Sequence, residues 1–173
     1  RAFRRTNRLH RSARYPDSNI MHWAMIAAVV MSESAANSYF FAQDSDLGLL
    51  GGLLQALLIS VVNIGIALFC GVFGMRYIHH VDMPGRIFGC TVTAIYSVVT
   101  VALNLAVAHY RVALEIDPVS ALRMVFRSLT SQPFTIDNFD AGLLLMIGLL
   151  SSAFAMVKSY NADDTYPGYG RLD

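Results

Sequence analysis

Glu33 is the side chain whose position in this sequence most strongly indicates chemistry. It lies midway along the apolar stretch 20–42 and is the only formally charged residue in that stretch. Asn37 follows four residues later, so the two side chains share one face of a helix. An ionised carboxylate inside a bilayer costs about 2.5 kcal/mol or more, so such a group is usually functional or paired.

Amide side chains in the other apolar stretches are the candidate partners of Glu33. Gln55 and Asn63 lie on one face of the second stretch, and Asn104 lies in the third. An amide without a hydrogen-bond partner in lipid costs several kcal/mol, so these side chains must face protein or water. The first two stretches are joined by a short loop, which favours antiparallel neighbours. We predict an intramembrane polar cluster formed by Glu33, Asn37, Gln55, Asn63 and Asn104.

Three roles are open for this cluster. It could be a proton or cation site on a transport path, or the lining of a water-filled pore. It could also be a protonated, hydrogen-bonded connection between helices without any transport. Burial and hydrogen bonding act in opposite directions on such a carboxyl group, so the surroundings of Glu33 decide among these roles.

Small residues recur every four positions in the second stretch. This small-xxx-small pattern lets membrane helices approach each other closely. Packing within one subunit is the favoured interpretation, and an oligomer interface or pore lining is the alternative. The stripe consists of Gly48, Gly52, Ala56 and Ser60.

Long apolar helices must position these side chains. The chain has 173 residues, of which 55% are hydrophobic and 14% charged, whereas soluble domains are about 25% charged. Four stretches have the roughly 20 apolar residues that a membrane span needs: 20–42, 47–77, 87–109 and 139–157. The long charge-free runs disfavour a soluble helical protein. We predict an all-α, integral membrane four-helix bundle.

The flanking charges predict the orientation of the bundle. Six arginines occupy the first fourteen residues, whereas the loop 43–46 is acidic. By the positive-inside rule, both termini are expected in the cytoplasm, and the basic tail 1–19 is expected to contact anionic inner-leaflet lipid. In a bacterium this would be the inner, plasma membrane. Arg111, Arg123 and Arg127 lie on the opposite side and count against this orientation.

Two segments outside the spans have recognisable patterns. An amphipathic helix is predicted at about 117–130, with Asp117 as its N-cap and Pro118 at its first position. It could lie in the headgroup layer or pack on a neighbouring subunit. Residues 159–173 are polar and turn-rich, which predicts a tail or a linker.

Motifs for enzymatic chemistry are absent from the sequence. There is no nucleophile elbow, phosphate-binding glycine loop or Cys-x-x-Cys pair, so we expect neither an enzyme nor a cofactor. His22, His79 and His80 are weak candidates for metal ligands, because their spacing is not specific. Lipid contact explains the arginine-rich tail more simply than nucleic acid does, so no nucleic-acid partner is expected.

Two functions follow from these patterns. The first is an oligomeric, channel-like or pore-forming subunit, with ion transport through the cluster around Glu33. The second is a membrane anchor or assembly subunit of a larger complex, without transport of its own. The absent initiator methionine, the basic start and the polar end favour continuation into cytoplasmic parts or partners.

Overall fold

The structure of this protein, a computed structural model, describes residues 2–14, 18–42, 45 and 47–169. The fold is all-α: 77% of it is helical, and the described residues contain no strand. A π-helical segment, Cys70–Met75, continues the third helix. The α-helices are α1 (Ala2–Thr6), α2 (Asn19–Ala42), α3 (Gly48–Phe69), α4 (Met83–Ile116), α5 (Ala121–Ser131) and α6 (Phe139–Tyr160).

Local hydrogen bonds explain where α6 begins and ends. The side chain of Asn138 accepts hydrogen bonds from the backbone amides of Asp140 (2.8 Å) and Ala141 (3.3 Å), as an N-cap does. At the other end, the guanidinium of Arg76 donates to the carbonyls of Ser159 (2.8 Å) and Tyr160 (3.1 Å). A cation at a helix C-terminus satisfies carbonyls that have no partner within the helix.

The helix predicted at about 117–130 begins later than expected. Asp117 follows the last residue of α4, and its carboxylate accepts hydrogen bonds from the amide of Val119 (3.0 Å) and the hydroxyl of Ser120 (2.6 Å). These bonds hold a local turn, which competes with helix formation. Pro118 therefore lies in the turn between two helices, and α5 starts at Ala121.

Three helices among the described residues are long and apolar enough to cross a membrane: Gly48–Met75, Met83–Ile116 and Phe139–Tyr160. Their outward side chains include Leu58, Val98 and Leu150, each at least 64% exposed. Such apolar surfaces are characteristic of lipid-facing helices, so they indicate a membrane protein. The sequence predicts a fourth span at 20–42. Helix α2 has 24 residues there, but its most apolar part is less apolar than the corresponding parts of the other three.

The helix α4 is much longer than its predicted span of 87–109. Its 34 residues correspond to about 51 Å at 1.5 Å per residue, which exceeds the roughly 30 Å of bilayer hydrocarbon. The extension beyond residue 109 contains Arg111, which is completely buried and paired with Glu115 at 2.8 Å. The amide of Asn138 also donates to Glu115 (3.0 Å), which joins α4 to the start of α6.

Two apolar clusters form the core of the bundle, one toward each end. One contains Phe41, Ala56, Leu144 and the buried face of α5. The other contains Ile26, Ile64, Tyr96 and Ala155. On each long helix, the polar residues described below fall between the members of these clusters. The bundle is therefore apolar, then polar, then apolar along its length.

The two terminal segments contact each other at one end of the bundle. Arg11 forms a two-pronged ion pair with Asp164, with N–O distances of 2.6 and 2.8 Å. The hydroxyl of Tyr166 donates to Asn7 (2.8 Å), and the ring of Phe3 stacks on that of Tyr169. The sequence predicts a basic tail at 1–19 and a polar tail or linker at 159–173. Within the described residues, segments 2–14 and 161–169 instead form one unit, which we call the terminal clasp.

Asp164 is the centre of the terminal clasp. Its side chain is fully buried, and burial alone would raise its pKa. Hydrogen bonds from the guanidinium of Arg11 and from the backbone amides of Tyr166 and Arg14 outweigh burial, so the pKa of Asp164 is lowered. The clasp is therefore stabilised by the ionised form of this carboxyl group.

Candidate functional site

Glu33 is buried at the contact between α2 and α3. The residue is only 2% exposed, and its Oε1 accepts a hydrogen bond from Nδ2 of Asn63 (3.2 Å). The hydroxyl-bearing residues Ser60 and Ser151 also adjoin the carboxyl group. The carboxyl group of Glu33 is thus surrounded by side chains of α3 and α6.

Asn63 connects Glu33 to the rest of the bundle. Its Nδ2 also donates to the backbone carbonyl of Gly148 in α6 (2.8 Å), and its Oδ1 accepts from Nδ2 of Asn104 in α4 (3.1 Å). Asn104 in turn donates to the carbonyl of Thr100 on its own helix (2.9 Å). One chain of hydrogen bonds therefore joins α2, α3, α4 and α6. We call Glu33, Asn63 and Asn104, with the carbonyl of Gly148, the Glu33–Asn63–Asn104 network.

Gly148 makes this network possible. A side chain built at this position would overlap Oδ1 of Asn104. The missing side chain lets α4 and α6 approach closely enough for the amides to reach the α6 backbone. Sequence reasoning did not place Gly148 in the site. A glycine in the fourth apolar stretch was the available signal, but nothing in the sequence shows which amide lies opposite it.

Asn37 and Gln55 lie differently from the three network members. Asn37 is 2% exposed and faces the interior one turn from Glu33, but its Oδ1 has no hydrogen-bond partner among the described residues. Gln55 is half-buried and lines a groove of about 370 Å³ beside Tyr110 of α4 and Leu122 of α5. The structure therefore brings Glu33, Asn63 and Asn104 together and leaves Gln55 apart.

The small-residue stripe of α3 lies inside the chain. Gly52, Ala56 and Ser60 are buried, and Gly48 is half-buried with a positive φ of 54°. A Cβ at Gly52 would lie 2.5 Å from the backbone of α2, at Ser38 O and Ala42 N. The stripe thus lets α2 approach α3, and Ser60 completes it beside Glu33.

Polar atoms near the network are not all paired. Oε2 of Glu33, Oγ of Ser60 and Oγ1 of Thr100 are buried without a hydrogen-bond partner in the described part of the chain. A buried polar atom without a partner costs about 1–3 kcal/mol. The network is therefore well connected but does not satisfy every polar atom in its layer.

The histidines named as weak metal candidates do not form a metal centre with described residues. The described part of the chain contains no group of three or more His, Cys, Asp or Glu side chains placed to hold a metal ion. His80 stacks on the rings of Tyr77 and Tyr166. His79 is exposed, whereas His22 is buried beside Trp23.

Compared with protein-family models, curated proteins and solved structures, the chain shows no significant match. Its function must therefore be argued from the site and the bundle themselves.

Proposed function

We propose that the chain crosses the bilayer four times, with α2 as a span in addition to α3, α4 and α6. The terminal clasp supports this topology. Three crossings would place the segments before α2 and after α6 on opposite sides of the membrane, whereas Arg11 contacts Asp164. An even number of crossings brings the two segments to one side. The polar side chains of α2, including Glu33, Ser34 and Asn37, face α3 and α6 rather than lipid.

The charges favour a cytoplasmic position for the terminal clasp. Arg76, Arg86 and Lys158 lie at the ends of the same helices that begin or end near the clasp. Lys and Arg that flank spans mark the cytoplasmic side. Arg111 lies at the opposite end, but it is buried and paired with Glu115, so it is a weaker contrary signal than its position in the sequence suggests.

Helix α5 lies at that opposite end. Leu122 and Phe126 are at least 70% exposed, and the neighbouring Arg123 and Arg127 are also exposed. Exposed apolar side chains next to arginines suit the headgroup layer of a bilayer. A neighbouring subunit that covers Leu122 and Phe126 is the alternative, and the oligomeric state in lipid distinguishes the two.

The function that the geometry supports best is that of a membrane anchor or assembly subunit of a larger complex. The observation that carries this proposal is the burial of Glu33 in a network within one chain. Its carboxyl group is hydrogen-bonded to Asn63, which is in turn hydrogen-bonded to α4 and α6. A carboxyl group used in this way connects four helices, which is an architectural role. Transport would instead require Glu33 to face a path across the membrane.

A channel-like subunit is the second candidate. Oε2 of Glu33, Oδ1 of Asn37 and Oγ of Ser60 favour it, because these buried atoms have no hydrogen-bond partner among the described residues. They lie on the facing sides of α2 and α3, in the polar layer of the bundle. Polar atoms of this kind line the interior of many transport proteins, where water or an ion completes their hydrogen bonds.

Ion flux distinguishes the anchor from the channel. The purified chain is reconstituted into liposomes that contain a pH-sensitive dye, and proton and potassium flux are measured. The anchor predicts flux equal to that of empty liposomes. Flux above this level would overturn the anchor. Loss of that flux in Glu33→Gln, but not in the control Gln55→Ala, would then assign the path to the network.

Accessibility of engineered cysteines tests the four-span topology. In a chain with Cys70 and Cys90 replaced by alanine, single cysteines are introduced at Arg8 and at Ser45. A membrane-impermeant maleimide added to intact cells should label Ser45→Cys and leave Arg8→Cys unlabelled until the cells are opened. Labelling of both or of neither in intact cells would contradict the proposed topology.

A further inference from the structure

A cavity of about 570 Å³ lies between the start of α2 and the end of α6, next to the terminal clasp. Arg14 and Lys158 supply positive charge to its wall. Neither side chain has an ion pair within the described part of the chain, and the amine of Lys158 lies 5.5 Å from the ring centre of Phe154. Among the described residues, Asp163 is the carboxylate in the wall. Its carboxylate accepts a hydrogen bond from the backbone amide of Asp164 (2.8 Å) and lies 4.0 Å from the guanidinium of Arg76.

His22 provides an independent indication of a ligand in this cavity. The residue is 6% exposed and lines the cavity, and its Nε2 has no hydrogen-bond partner among the described residues. The start of α2 is also in the wall, through Met21 and through Ser18, the residue before the helix, whose hydroxyl accepts a hydrogen bond from the amide of Met21 (3.2 Å). Backbone amides at a helix N-terminus attract anions. A buried histidine, two cations without an ion pair among the described residues, and the start of a helix together form a cradle for an anion.

An apolar groove continues from this cavity toward the middle of the bundle. It has a volume of about 490 Å³ and runs along the same crevice between α2 and α6. Met25 belongs to the walls of both spaces, so the cavity and the groove adjoin. The groove is lined by Ala28, Val29, Leu150 and Phe154, among others. A polar, cationic cavity above an apolar groove has the two parts that a phospholipid has.

We propose that this crevice binds one anionic phospholipid from the cytoplasmic leaflet. Arg14, Lys158 and His22 hold its phosphate, and the groove below Met25 holds the first part of an acyl chain. The proposal rests on the proposed membrane topology and adds a defined lipid site to it. A free phosphate ion would use the cavity but not the groove, so the groove favours the lipid.

Retention of lipid in native mass spectrometry tests the proposal. The full chain is purified in detergent micelles that contain either phosphatidylglycerol or phosphatidylcholine. We expect one phosphatidylglycerol per chain to be retained, with much weaker retention of phosphatidylcholine. Because each lysine or arginine near anionic lipid strengthens its binding, the double variant Arg14→Gln, Lys158→Gln should retain phosphatidylglycerol at least about tenfold less well.

Matched controls make the result specific. The double variant Arg5→Gln, Arg86→Gln removes two exposed cations outside the cavity and should retain the lipid unchanged. Ala28→Trp fills the groove but leaves the cations in place, so it should also lose the lipid. Equal retention of both lipids, or an equal loss in the two double variants, would overturn the site. Displacement of the lipid by millimolar inorganic phosphate would assign the cradle to a free anion instead.

The lipid test does not depend on the outcome of the topology test. Micelles surround the bundle whatever its orientation in a cell, so lipid retention reports on the crevice alone. Failure of the cysteine labelling would contradict the four-span topology and the cytoplasmic leaflet as the source. Failure of the lipid retention would contradict only the site.

Discussion

Replacing Asn63 by alanine should destabilise the bundle more than any other single amide replacement. Its side chain makes three hydrogen bonds: two as donor, to Glu33 and Gly148, and one as acceptor, from Asn104. Hydrogen bonds between membrane helices average about 0.6 kcal/mol each, so the three bonds account for roughly 2 kcal/mol. Leaving the carboxyl group of Glu33 without its donor adds about 1–3 kcal/mol.

The expected loss in free energy of unfolding is therefore about 3–5 kcal/mol. It can be measured by reversible unfolding in mixed micelles with an increasing fraction of dodecyl sulfate, followed by circular dichroism. Gln55→Ala is the matched control, because Gln55 is on the same helix, is half-buried and lies apart from the network. Replacing this partly exposed side chain, which lies outside the network, should change the free energy of unfolding by no more than about 0.5 kcal/mol.

A second replacement separates hydrogen bonding from the loss of volume. Asn63→Asp keeps the shape of the side chain but replaces both donor hydrogens by an acceptor. This acceptor would face the carboxyl group of Glu33 and the carbonyl of Gly148, so Asn63→Asp should destabilise at least as much as Asn63→Ala. The reasoning fails if the free energies of unfolding of Asn63→Ala and Gln55→Ala differ by less than about 0.5 kcal/mol. It also fails if Asn63→Asp is as stable as the unmodified chain.

Three further predictions use matched pairs or pH. Gly148→Ala places a methyl group against Asn104 and should cost about 1–3 kcal/mol in the same unfolding assay, whereas Gly142→Ala meets no atom within 4 Å and should be neutral or slightly stabilising. Gly52→Ala should likewise push α2 from α3 at a similar cost. Gly65→Ala, which also meets open space, should gain up to about 1 kcal/mol of helix propensity; equal effects within either pair would contradict the close approach. The pKa of Asp164 is lowered in the folded chain, so its contribution to the terminal clasp is complete above the unfolded pKa of about 3.9 and is lost as the pH falls through the lower, folded value. The protection of residues 2–14 against hydrogen exchange, measured relative to an unstructured chain at the same pH, should therefore fall below about pH 4. Asp164→Asn should show little protection at any pH; protection in that variant at neutral pH would refute the role of the carboxylate.

Some helices follow from the local sequence pattern, whereas the ends of others depend on specific side-chain contacts. The apolar stretches of α3 and α6 determine those helices, because few other conformations satisfy backbone groups in an apolar setting. The end of α4 was not predictable from the same rule. Arg111 was expected to lie beyond the span, but a partner one turn away lets it remain helical and buried. The start of α5 was not predictable either, because the side chain of Asp117 can cap a helix or hold a turn, and in the structure it holds a turn.

The candidate site shows the same division. Glu33 stands out in the sequence by itself, since a carboxyl group in an apolar stretch needs a partner. Gln55 and Asn63 share a helix face and are equal candidates by periodicity. Only Asn63 lies opposite Glu33, Asn104 and Gly148, because it is at the level where four helices meet, whereas Gln55 faces a groove beside α5.

The sequence by itself determined that the chain is helical and that its long helices are suited to lipid. It also determined that Glu33 and several amide side chains must face protein or water rather than lipid. These properties follow from composition and from the period of each helix. The tertiary structure decided which polar groups meet, that the terminal segments join in one clasp, and that a cationic cavity opens onto an apolar groove. Each of these depends on residues far apart in the chain, and no local pattern specifies how two helices align along their lengths.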